Sequence, residues 1–289
     1  MIPRPQIEVE PKAHSFSQLM RRLGETFAVR DVMVPLASIE YVAPDDEDTA
    51  KRLVAEKRYS VIPVSKDGSS FDYVFCTDAT ADVRSITFGR PTTVYDHVPD
   101  STGLADAFFL FEHREWYFAL RSNRVVGLMT YWAFNSREFR VQLYAGLSRV
   151  EELSRDALAK DRCGTSDPTG LHLSVDVLNT AQQRFDSSRS KMGGNRFVDE
   201  LQFHHVHDAL KKHARWRTFL EQRLGKLSNG KYDDVFNFTE LRDTVMHGRV
   251  LFPTYQQFIQ LSGMIDRIGD LISHLEAYNA LPAVSCANE

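Results

Sequence analysis

Along the first 135 residues the apolar positions fall in short β-branched or aromatic runs. They are Ser60-Val61-Ile62-Pro63-Val64, Tyr73-Val74-Phe75, Trp116-Tyr117-Phe118-Ala119-Leu120 and Arg124-Val125-Val126-Gly127-Leu128-Met129. Turn formers bound several of them, including Lys66-Asp67-Gly68 and Ser122-Asn123, so the runs predict strands. Two segments between them change period. Asp46–Glu56 sets Thr49, Leu53 and Val54 at helical spacing behind an acidic first turn. Ser101–Glu112 repeats the design, with Ser101 or Thr102 as the expected cap and Leu104, Ala107, Phe108 and Phe111 as its stripe. The order strand, helix, strand, strand thus occurs twice, which predicts an internal duplication.

Beyond residue 135 the strand pattern stops. Glu138–Leu158, Leu173–Arg184, Val198–His213, Ala214–Leu227, Phe238–Leu251 and Tyr255–Tyr278 carry helical periodicity, predicting a bundle of five or six helices. Lys160–Gly170 and Asp186–Asn195, rich in Ser, Gly, Asp or Pro, read as loops. The expected domains are an extension at 1–27, the duplicated α+β region at 28–135 (28–84 and 94–135), a connecting helix at 136–160 and an all-α bundle at 161–289.

Charge sharpens this division. The chain of 289 residues has a net charge of −4, and the first 135 residues hold 19 acidic against 15 basic side chains, so the remainder is neutral. No bulk positive field marks a nucleic-acid binder, and any such contact must be local. Three cysteines are too few and scattered for a disulfide scaffold or structural zinc site. No apolar run reaches the roughly 18 residues of a membrane span. The start, Met1-Ile2-Pro3-Arg4-Pro5, lacks a signal-peptide pattern, so the expected location is cytoplasmic.

The duplicated region carries a family likeness. Val29-Arg30-Asp31-Val32-Met33, the acidic helix after it and Tyr59-Ser60-Val61-Ile62-Pro63-Val64 resemble the first copy of a CBS motif. A second copy runs from Asp96 to Gly127-Leu128-Met129-Thr130. The resemblance implies a disc of two tandem β-α-β-β-α units whose clefts bind adenine nucleotides, with Thr and Asp three residues apart near the last strand. This chain has half of each pair: Thr130 with Ala133 in the second copy, and Asp78 with Phe75 in the first. A carboxylate accepts ribose hydroxyls in charge-assisted bonds and an alanine cannot. Asp78 and Thr130 are therefore the candidate nucleotide contacts; capping or strand-end bonding accounts for them equally well, and the pair serves alternatively as a dimerisation platform.

The strongest local signal in the bundle is Phe238-Thr239-Glu240-Leu241-Arg242-Asp243-Thr244-Val245-Met246-His247-Gly248. Asn237 is the expected cap, with Glu240 closing a capping box. Phe238, Leu241, Val245 and Phe252 form an apolar stripe, while Arg242, Asp243, Met246 and His247 lie opposite. Asp243 and His247 are i,i+4 neighbours. This arginine–polar–x–x–x–histidine arrangement in a late helix resembles the signature of HEPN (higher eukaryotes and prokaryotes nucleotide-binding) domains, and Leu201-Gln202-Phe203 leading into His204–Lys212 resembles the helix pair before it.

That resemblance implies a homodimer with one composite cleft and metal-independent RNA cleavage. The products would carry 2′,3′-cyclic phosphate and 5′-hydroxyl ends. It also implies an antitoxin or regulatory protein among the partners and a setting in toxins, stress or phage defence. The chemistry suits the residues: histidine moves a proton near neutrality and arginine forks onto phosphate oxygens. Arg242, His247 and Asp243 are the catalytic candidates, with no catalytic metal and an adenine nucleotide as regulatory ligand. Arg249 stands where some relatives have a modifiable tyrosine. Around the motif, His204, His205, His207, Lys211, Lys212, His213, Arg215 and Arg217 suggest a basic face for RNA or an ordinary solvated one. A catalytically inactive RNA- or protein-binding dimer module stays open beside the ribonuclease.

Overall fold

The computed structural model describes residues 14–24, 27–57, 59, 61–68, 70–77, 86–160, 171–192, 196–226 and 238–282. Two compact units divide the chain: Met1–Gln142 with Val250–Asp266, and Leu143–Arg249 with Arg267–Glu289. The first holds every described strand, and the second is helical. The fold is thus a mixed α/β N-terminal region followed by an all-α C-terminal bundle.

In the first unit α1 (Ser15–Arg22) precedes β1 (Val34–Pro35), α2 (Glu47–Lys57), β2 (Val61–Val64), β3 (Tyr73–Thr77) and β4 (Ile86–Pro91). Then come β5 (His97–Pro99), α3 (Leu104–Leu110), β6 (Trp116–Arg121) and β7 (Arg124–Thr130). The strands form two sheets, ordered β1-β7-β6-β5 and β2-β3-β4. Among the described strand pairs β5 and β6 run parallel and the others antiparallel. Ser122 and Asn123 take positive φ in the β6–β7 hairpin, as a two-residue primed turn requires. Gly127 lets β1 approach: a Cβ there would stand 2.7 Å from the Val34 carbonyl oxygen. The cap of α3 differs from expectation. Gly103 holds that place without a side-chain bond. The Thr102 carbonyl instead accepts the Val29 amide at 2.9 Å, which ties the two copies together.

A cluster of aromatic rings forms the densest part of this core. Phe108 stacks on Phe139 at 4.9 Å and meets Phe134 edge-on at 5.0 Å. Phe258 lies 4.7 Å and Phe252 5.8 Å from the same ring. All five are fully buried. Asn135 secures the 250s segment: its carbonyl oxygen accepts the Leu251 and Phe252 amides at 2.8 and 2.9 Å, and its amide donates to the Phe252 carbonyl at 3.1 Å. Residues 250–266 therefore pack in the first unit, against α3, the 3-10 turn at Tyr131–Asn135 and the start of the helix Arg137–Lys160.

The second unit takes most of α4 (Arg137–Lys160), then α5 (Val175–Met192), α6 (Phe203–Lys212), α7 (Ala214–Leu224), α8 (Thr239–Met246) and the end of α9 (Tyr255–Ala280). Two local readings are corrected. Residues 186–192, read as loop from composition, continue α5; Phe185 packs edge-on against Phe197 at 6.1 Å, and Ser188 donates to Glu200 at 2.6 Å. The helix expected over 198–213 breaks at Leu201-Gln202, between a 3-10 turn at Phe197–Glu200 and α6. Arg155 secures the break by donating to the Val198 and Leu201 carbonyls at 3.2 and 2.9 Å.

Asn135→Ala removes three bonds and strands two main-chain amides, so it should lower the stability of the first unit by about 2–3 kcal/mol. Chemical denaturation followed by far-ultraviolet dichroism measures this; an unchanged midpoint would refute the anchoring role.

Candidate functional site

The helix α8 spans Thr239–Met246 and buries Leu241 and Val245, with Phe238 buried at its N-cap. Phe238 brings no side-chain cap, and Asn237, expected in that role, lies outside the described residues. The helix expected to run to Leu251 ends five residues sooner, for a local reason. Gly248 adopts φ +63°. Its amide donates to the Val245 carbonyl at 3.3 Å, and the Arg249 amide reaches back to Thr244 at 3.1 Å. This pair of bonds is a Schellman motif, which favours glycine at the left-handed position. His247 is consequently the C-cap, its main-chain amide bonded to the Asp243 carbonyl at 3.0 Å and its side chain exposed.

Arg242 lies one turn earlier and is held differently. Its guanidinium sits over the Phe203 ring, 5.2 Å from the centroid. Glu151 of α4 approaches to 3.7 Å and Asp243 to 3.8 Å. Glu151 is shared, since its other oxygen pairs with Arg155 at 2.6 Å. Arg242 is about one-third exposed, so a flat cation is positioned by an aromatic face and a carboxylate yet stays open to solvent. Among the described residues no hydrogen bond joins Asp243 to the His247 ring; the Asp243 carboxylate is close to Arg242 instead. Glu151 and Phe203 were not legible as partners of Arg242. They come from α4 and α6, and helical spacing reports only neighbours on one helix.

The expected basic face is mostly structural. His207 is buried against Phe203, with ring centroids 4.0 Å apart, because it lies four residues along α6 from that ring. His213 caps α7 by accepting from the Trp216 amide at 3.3 Å. Lys212 donates to the His172 carbonyl, Arg215 to that of Pro282, and Arg217 pairs with Glu221. His204 remains exposed.

Of the two nucleotide candidates, Asp78 lies outside the described residues. Thr130 is the last residue of β7, opposite Trp116, half-buried, and its hydroxyl does not cap the 3-10 turn at Tyr131–Asn135. The first unit also buries a carboxylate that the sequence did not mark. Asp96, fully buried, accepts two bonds from Arg90 at 2.7 and 2.6 Å, one from the Thr93 amide at 2.7 Å, and one from Arg114. Among the described residues no group of three or more His, Cys, Asp or Glu side chains could hold a metal ion, and no helix is long and apolar enough to cross a membrane.

The helix end and a half-buried imidazole each give a prediction. Gly248→Ala forces an L residue into the left-handed region and should cost about 1–2 kcal/mol. His247→Ala should leave the unfolding midpoint unchanged; equal midpoints for both variants would refute the Schellman assignment. In the second unit, burial and then Arg223 hold the His274 imidazole below its ordinary value of 6.5. It resists protonation when folded, so its contribution is full above pH 6.5 and is lost as pH falls below that value. His274→Gln should flatten the loss of stability on acidification from that pH, as read by denaturation at a series of pH values.

The sequence matches no protein-family model and no curated protein. Solved structures do match. The CBS domain of a bacterial CNNM/CorC family Mg2+ transporter in complex with ATP aligns at 19% identity and TM-score 0.30, covering 41% of this chain and 91% of its own. A hemolysin-like protein containing a CBS domain, from Oenococcus oeni PSU, aligns at 22% identity and TM-score 0.29, covering 40% and 91%. The CBS-pair protein CBSX2 from Arabidopsis thaliana aligns at 20% identity and TM-score 0.30, covering 41% and 96%.

Proposed function

We propose that this chain is a metal-independent endoribonuclease of the HEPN type, working as a homodimer and regulated by an adenine nucleotide bound in a CBS-like first unit. One observation carries the reading. The end of α8 presents His247 exposed at a fixed cap, while Arg242 is held on Phe203 one turn earlier with its guanidinium open to solvent. In RNA cleavage Arg242 takes the phosphodiester oxygens as negative charge develops, and His247 moves the proton at the 2′-hydroxyl or the departing 5′-oxygen. A second copy supplies the other pair. Asp243 is assigned to balancing Arg242, in keeping with their 3.8 Å approach.

Regulation is assigned to α4. It is one uninterrupted helix that begins in the first unit and carries Glu151, the carboxylate nearest Arg242. The ligand class, an adenine nucleotide, follows from the CBS resemblance of the sequence around Val29–Val64 and Asp96–Thr130.

A second reading, a non-catalytic RNA- or protein-binding module, is favoured by the charge around Arg242. Glu151 and Asp243 both lie within 4 Å of a guanidinium that a phosphate must reach. One experiment separates the two. Purified wild type and His247→Ala are incubated with total RNA and with tRNA in EDTA, with and without AMP, ADP or ATP, and product ends are read. Cleavage giving 2′,3′-cyclic phosphate ends, reduced about 100-fold or more in the variant, is the expected result. RNA binding without cleavage, equal in both proteins, would favour the binding module.

A further inference from the structure

A cavity of about 170 Å³ opens in the second unit between α5 and the start of α6. Ala181 and Leu201, both buried, and the half-buried Val177 give it an apolar floor. Its charged and polar walls are Asp176, Glu200, Arg184, Gln202, His205 and Thr180. Thr180 is already used, its hydroxyl donating to the Asp176 carbonyl at 2.8 Å. Glu200 is fixed by one carboxylate oxygen, which accepts Ser188 at 2.6 Å, and among the described residues its other oxygen makes no hydrogen bond.

The balance of charge selects the kind of guest. Burial, with His204 and Arg184 beside it, holds the His205 imidazole below its ordinary value and therefore neutral near pH 7. Two carboxylates then face one guanidinium. A carboxylate or phosphate guest is repelled, whereas a neutral guest that donates hydrogen bonds is favoured. Size selects further: a cavity of about 150 Å³ holds one six-membered ring. The apolar floor suits a flat face, and the walls require both donors and acceptors on the ring edge.

We propose that this cavity binds cytosine, through its exocyclic amino group to Glu200 and its ring acceptors to the Gln202 amide. Acceptance of the cytosine amino group by a carboxylate is a standard pairing, and the side-chain amide supplies the donor for the adjacent ring acceptors. Uracil reverses the edge: its O4 would face the Glu200 carboxylate. The site is independent of RNA cleavage, and its test does not require it. The same base is available from a free nucleoside or from an RNA strand.

The experiment is calorimetric titration of the full chain with cytidine, uridine and a short oligocytidylate. Three proteins are compared: wild type, Thr180→Trp, which fills the cavity mouth from an exposed position, and Glu200→Gln, which keeps the Ser188 bond. Cytidine should bind at least about tenfold more tightly than uridine, with that preference lost in Glu200→Gln and binding lost in Thr180→Trp. Tighter binding of the oligonucleotide than of cytidine assigns the base to an RNA strand, and equal binding assigns it to a free nucleoside. No cytidine binding, equal affinities for the two nucleosides, or binding that survives Thr180→Trp in a folded protein would overturn the proposal.

Discussion

The aromatic cluster around Phe108 is the contact on which the organisation of this chain depends. Phe134 and Phe139 come from the end of the strand region, and Phe252 and Phe258 arrive more than a hundred residues later. Burying such rings supplies most of the drive for this core. Asn135 settles where the late segment docks, because two main-chain amides and one carbonyl find partners only in that register. A segment flanked in sequence by bundle helices is thereby claimed by the first unit. His247 is then separated by only three residues from Leu251, which Asn135 holds.

Each unit holds a carboxylate shared between two arginines. Asp96 is bound by Arg90 and Arg114 with a main-chain amide completing its shell. Such a buried carboxylate is tolerable because its oxygens are filled with strong donors, and removing the carboxylate would leave two guanidinium groups without their counter-charge. Glu151 is shared more loosely, at 2.6 Å to Arg155 and 3.7 Å to Arg242. Looseness on the Arg242 side is what a substrate-facing guanidinium needs: held in place, yet able to exchange its partner for a phosphate. Arg155 anchors the other side through the carbonyls that precede Phe203. The ring beneath Arg242 and the carboxylate beside it are thus set by the same residue.

Much of the fold was legible in the sequence, and the failures have a common cause. Short β-branched or aromatic runs located β2, β3, β6 and β7, and period 3.6 located α2, α3 and the long α4 and α9. These patterns record which face is buried. Residues 186–192 looked like a loop because Ser and Arg dominate them, but Phe185 and Ser188 find partners in Phe197 and Glu200 that no local rule includes. His207 looked like part of a basic face because charge counts ignore the side of the helix; four residues from Phe203, it turns inward. The cleft beside α5 left no signal, since its walls come from segments that meet only in the folded chain.

The candidate site divides along the same line. The sequence by itself determined that a helix carries Arg242; its end at His247, short of the expected Leu251, is also a local matter, because a glycine at the left-handed position closes a helix through bonds within six residues. It also determined that Leu241 and Val245 face inward, leaving the arginine and histidine outward. Tertiary structure decided what surrounds the guanidinium: Glu151, some ninety residues away, and Phe203, some forty. Among the described residues the Asp243 carboxylate lies beside Arg242 and makes no hydrogen bond to the imidazole, which i,i+4 spacing alone did not decide. Local conformation depends on short-range sterics and hydrogen bonds, which the sequence encodes directly. The electrostatic environment of a side chain depends on which distant faces pack together, and only the fold sets that.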